Sequence, residues 1–157
     1  MQRDYILRII EQFIQALAAI IKSRRSGNYE EAFTLIQNAA RYYLDRDINE
    51  LLACSPDQLL EHFADDRQRI DTEKCMICSD LLHELASICV AKGHVEASLR
   101  LKVMCLNLYL TAIPKDKQFQ YQQYYKHVDT IIEELEGYPL PEDVVANLSA
   151  YHKFRIS

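Results

Sequence analysis

Apolar and polar positions divide this chain into segments of helical period, separated by glycine, proline and short polar runs. In residues 4–25, Ile6, Leu7, Ile9, Ile10, Phe13, Ile14, Leu17, Ile20 and Ile21 fall in one arc of about 160° at ~100° per residue. Arg8, Glu11, Gln12, Gln15 and Lys22 take the opposite side. A single hairpin partner covers a stripe of roughly 100°, so this segment is expected to meet two neighbours. The second should be the segment 72–92 of the same chain, or else another molecule. Residues 95–112 are apolar nearly all round. Only Glu96, Arg100, Asn107 and Thr111 form a consistently polar wedge, which predicts the most buried helix of the fold. A narrower stripe of Tyr121, Tyr124, Tyr125, Val128, Ile131, Ile132 and Leu135 predicts an outer helix.

The punctuation agrees. Gly27, Gly93 and Gly137 each close a periodic segment, as suits a left-handed residue after a helix. "SPDQ" (Ser55–Gln58) reads as a capping box with Pro56 at the first helical position. Pro114 is expected to end a segment, and Pro139 and Pro141 bracket the last turn. Helices are predicted near 4–25, 28–44, 47–53, 55–64, 72–92, 95–112, 116–136 and 141–153. No stretch keeps a period of two, so the predicted class is all-α.

Two turns echo each other, "SGNYEEAF" (Ser26–Phe33) and "KGHVEASL" (Lys92–Leu99). Each lies between amphipathic segments and predicts an αα-hairpin. In the first, Asn28 is expected to cap the next helix while Glu31 reaches back to the Asn28 N–H. These segments resemble tetratricopeptide repeats. Leu82, Leu85, Ala86, Gly93, Val95, Ser98 and Cys105 match that pattern in one hairpin. Gly27, Tyr29, Ala32, Ile36 and Ala39 match its second half in the other. Gly27 and Gly93 lie 66 residues apart, near two periods of ~34. Cys89 and Lys102 stand where large apolar residues are expected, and Ile20 stands where glycine or alanine belongs. The opening "MQRDYILRIIEQF" with "GNYEEA" also resembles a family of small bacterial proteins to which no activity is assigned. The resemblance implies one compact domain over 1–157, with antiparallel hairpins near 4–44 and 72–112. An irregular acidic insert at 45–71 and C-terminal helices at 116–153 complete it.

Composition narrows the choice of function. Of 157 residues, 49% are hydrophobic and 26% charged, an ordinary globular balance. The net charge of −5 argues against broad binding to nucleic-acid phosphates. Residues 41–74 hold nine Asp/Glu against five Lys/Arg, which places an acidic face there. Five irregularly spaced cysteines are not a secreted disulfide framework. No apolar run approaches the ~20 residues of a membrane span, and Glu11, Gln12 and Gln15 interrupt anything like a signal peptide. A reducing cytoplasm is expected. The mixed charges Arg8, Glu11 and Lys22 also suit a membrane surface poorly.

Candidate chemistry is sparse. "CMIC" (Cys75–Cys78) has metal-ligand spacing, but both cysteines share an apolar arc with Ile77, Leu81 and Leu85, whereas His83 lies on the polar side. Buried small hydrophobes are the better reading, with Cys78 and Cys89 both inside. "HELAS" (His83–Ser87) has Ser87 where a zinc protease needs its second histidine. The basic "KSRR" (Lys22–Arg25) suits a helix C-terminus. Lys102 lies on an apolar part of its helix, which predicts snorkelling to the rim or pairing with a carboxylate, and otherwise an anion clamp. With Tyr121 and Tyr125 it is the candidate contact for a ligand or partner. The leading expectation is a non-enzymatic module, without a cofactor, that binds another protein or itself. A pocket for a small molecule or substrate near Lys102 and the tyrosines is the alternative.

Overall fold

The computed structural model describes residues 2–116 and 121–157. Its helices are α1 (Gln2–Arg25), α2 (Tyr29–Ala39), α3 (Ile48–Leu52), α4 (Pro56–Glu61), α5 (Thr72–Ala91), α6 (Val95–Lys115), α7 (Tyr125–Glu134) and α8 (Glu142–Ile156). A π turn, Ala40–Leu44, prolongs α2, and a 3-10 turn, Tyr121–Tyr124, leads into α7. Among the described residues the only β pairing is an isolated bridge between Ala64 and Ile70. The all-α class follows.

Helices α5 and α6 form the centre. Residues 75–82 of α5 and 101–110 of α6 are buried without interruption. Ten successive buried positions leave no polar face, so α6 must be covered on every side. Around it lie α5, α4, α7 and α8, and α1 packs on both α2 and α5. The wide arc of α1 therefore meets the two helices expected of it. Fully buried side chains such as Leu81, Leu106 and Ile20 each stabilise the fold by about 1.5–3 kcal/mol relative to exposure.

The two echoing turns are built alike. Gly27 and Gly93 both have φ +81°. In the first turn the Asn28 N–H donates to the Ser23 carbonyl and the Gly27 N–H to Arg24. In the second, His94 donates to Cys89 and Gly93 to Val90. Both are the Schellman arrangement, in which a left-handed residue lets the chain satisfy the last helical carbonyls. That geometry overturns the expected cap at α2. Asn28 makes no side-chain cap bond. Its N–H already serves Ser23, so Glu31 has no donor to reach back to. The capping box at Ser55 and Gln58 does form, both reciprocal bonds included.

Other boundaries shift for local reasons. The predicted helix 28–44 changes pitch at Ala40, where the chain takes π geometry until Asp45 turns left-handed at φ 54°. Pro114 does not end α6. It sits in the last turn, where a missing N–H costs one hydrogen bond, and Asp116 still donates to Ala112. The segment 45–71 is ordered. Asp47 and Ser55 cap α3 and α4, and the Asp65 carboxylate gathers the N–H groups of Arg67 and Arg69.

Candidate functional site

Of the three residues singled out in the sequence, Lys102 and Tyr125 take different partners. Lys102 is 7% exposed, and its Nζ donates to Glu134 Oε2 of α7 at 2.8 Å. Of its two expected fates it takes the carboxylate partner. Tyr125 faces α8, where its ring meets Tyr151 edge-on and the Arg155 guanidinium lies 4.6 Å from the ring centroid. The same Arg155 bonds Asp129 at 2.6 Å, so this cluster ties α7 to α8. The Tyr121 side chain lies outside the described residues.

A polar seam that sequence reasoning missed runs between α5, α6 and α7. The Asp80 carboxylate is buried and accepts hydrogen bonds from the Tyr109 hydroxyl on Oδ1 and the Tyr124 hydroxyl on Oδ2, the latter at 3.0 Å. Burial pushes the Asp80 carboxyl up from 3.8 to about 7, against the pull of both phenols. His127 stacks edge-on against both Tyr109 and His83. Desolvation, then His127, depresses His83 to about 4, and burial lowers His127 as well. At the α1 end, the Arg24 Nε donates to the buried Glu84 at 2.7 Å. Arg24 thus serves a specific partner besides the helix dipole. His83, expected on a polar face, is half-buried because α7 covers that face.

Three of the five cysteines behave as small buried hydrophobes, and Cys54 and Cys89 are half-buried. Cys75, Cys78 and Cys105 are buried, and all five cysteines are free thiols. Burial raises Cys75 to about 12, far from the thiolate a metal or redox site needs. Cys89, expected inside, is only half-buried because it lies near the end of α5, next to exposed Val90. Among the described residues no three His, Cys, Asp or Glu side chains converge as a metal site would require. No helix among the described residues is long and apolar enough to cross a membrane.

The surface carries a groove of about 450 Å³ where the start of α1 faces the π turn and the start of α5. Ile6, Ile9 and Ile77 give it aliphatic walls, and Tyr5 and Tyr42 stand beside them 63% and 70% exposed. Tyr43 lies edge-on between Phe13 and Tyr42, with ring centroids 5.3 and 4.7 Å away, which anchors the aromatic wall to the core. Asp45, Asp71, Glu73 and Lys74 complete the lining. Leu7 and Ile14 on the other flank of α1 are also exposed, Ile14 at 58%. Part of the α1 arc therefore remains uncovered. No family model matches this chain, and neither does any curated protein or solved structure.

Proposed function

We propose that this chain is a protein-interaction module whose docking surface is the N-terminal half of α1 together with the π turn. One observation carries the reading. Tyr5 and Tyr42 stand exposed around an aliphatic groove, and tyrosines flanking an apolar pocket dominate the binding energy of many interfaces. On this reading α1–α2 and α5–α6 are antiparallel, tetratricopeptide-like hairpins of a single cytoplasmic domain. The matched Schellman turns at Gly27 and Gly93 support that arrangement. The partner is another protein rather than a nucleic acid, in keeping with the net charge of −5. The alternative, a pocket using Lys102 as an anion clamp, needs that lysine unpaired. Its ion pair with Glu134 speaks for the interaction module instead.

The test is site-specific photo-crosslinking in the source cell. A photoreactive phenylalanine analogue replaces Tyr42 in one variant and Glu30, exposed on α2, in another. A discrete protein adduct from position 42 that position 30 does not give is the expected result. Equal or absent adducts from both would remove the reading. Light scattering on the purified chain then separates a foreign partner from a second copy.

A further inference from the structure

Resting on the interaction-module reading, we infer that the α1–π-turn groove accepts a cationic amphipathic helix from another protein. Three properties of the groove lead there. The first is shape and polarity. Ile6, Ile9 and Ile77 provide aliphatic walls, and Tyr5 and Tyr42 stand exposed beside them. Among the described residues the one β pairing is isolated, so a partner has no sheet edge to extend. An amphipathic helix with apolar anchors at i, i+3/i+4 and i+7 fits such an aliphatic lining between helices.

The second property is charge. Among the described residues that line the groove, Asp45, Asp71 and Glu73 stand against the cation Lys74, a local excess of two negative charges. Asp71 uses Oδ1 to cap α5 through the Lys74 N–H, and among the described residues no cationic side chain is bonded to it. Burial pushes the Glu73 carboxyl up, and the carboxylates of Asp71 and Asp116 add to the effect. The rim is thus held by like charges in a partly desolvated place, which a lysine or arginine from a partner relieves.

The third property disfavours a second copy as the occupant. A two-fold contact through this groove sets the same surface against itself, acidic rim to acidic rim, between molecules that each carry −5. A foreign basic helix meets no such repulsion.

A display library of helix-forming peptides about four turns long, selected on the full chain, is the probe. Enriched sequences should carry at least two Lys or Arg beside an apolar helical stripe. Synthetic copies with a tryptophan in the stripe report binding cleanly, because the chain has no tryptophan. Affinity should fall about ten-fold or more in the Asp45→Asn/Glu73→Gln variant, and similarly with added salt. Tyr42→Ala, at an exposed site that leaves the core intact, should abolish enrichment. Enriched peptides that are neutral or acidic, or equal binding by the charge variant, overturn the cationic assignment. So does a lack of enrichment relative to Tyr42→Ala. If crosslinks from position 42 persist while the selection fails, only the partner's chemistry is wrong. If both fail, the docking surface itself is wrong.

Discussion

Tyr109 and Asp80 join α6 to α5 through a hydrogen bond from the phenol to Oδ1, at a point where Tyr109 is fully buried. Among the described residues, two phenols donate to this interior carboxyl group. Tyr109→Phe removes one of them without opening a cavity. It should destabilise the protein by about 1–3 kcal/mol, the usual cost of leaving a buried polar atom unpaired. Asp80→Asn, which retains an acceptor, should cost less. Equilibrium urea unfolding of both variants checks the order.

Most of the helices were legible in the sequence, and the seam was not, for a definable reason. The apolar arc of α5 runs through Cys75, Ile77, Cys78, Leu81 and Leu85, and Asp80 and Glu84 fall outside it. Met76 and Ile77, however, flank Asp80 on the wheel, and both are buried. Apolar residues on both sides of a carboxylate were the available signal that α5 has no wet face. The groove was half legible. The charge excess of residues 41–74 pointed to an acidic face. The π turn that sets Tyr42 beside α1 has no period of its own and could not be read.

The seam makes stability depend on pH in two opposing ways. Between about pH 4 and 6.5 folded Asp80 holds a proton that the unfolded chain has released, so its contribution falls as pH rises. Folded His83 and His127 lack protons that the unfolded chain carries there, so theirs rises with pH. Arg24 with Glu84 and Lys102 with Glu134 also face this region, already paired. Asp80→Asn should therefore make stability climb more steeply across that window, by up to ~1.4 kcal/mol per pH unit, and His83→Gln should flatten it. Unfolding curves at stepped pH read both slopes. Parallel profiles for the two variants would contradict the assignment.

The Lys102–Glu134 pair is lopsided, with side chains 9% and 39% exposed. Removing the glutamate strands a buried ammonium, whereas removing the lysine leaves a carboxylate that water can reach. Glu134→Gln should thus cost more than Lys102→Met, by about 1 kcal/mol or more. Thermal melts of the two variants decide it, and an inverted order would mean that the lysine finds another partner.

At Gly93 an added Cβ meets nothing within 4 Å, so any cost of substitution is conformational. Gly93→Asn should lose about 1 kcal/mol and Gly93→Val clearly more, because a β-branched residue resists φ +81°. Equal melting temperatures for the two variants would count against the turn geometry.

The thiols divide by burial. Cys54 and Cys89 should react with a maleimide in the native protein, while Cys75, Cys78 and Cys105 react only on unfolding. Mass spectrometry after brief labelling counts the adducts, and a third rapid adduct would contradict the core placement.

The π turn closes its ring over five residues, with the Asp45 N–H returning to the Ala40 carbonyl, where an α-helix would close over four. It is in effect an α-helix with one residue too many, and that surplus sets the heading of Tyr42 and Tyr43. A deletion of one codon between Ala40 and Leu44 would restore ordinary pitch and swing both rings out of phase with α1. The π turn also packs on α5 through the core, where Ala40 and Leu44 are buried, so α5 would feel the change at that contact. The proposed docking surface and this stretch of core are thus set by the same five residues, so a change of one residue in length acts on both.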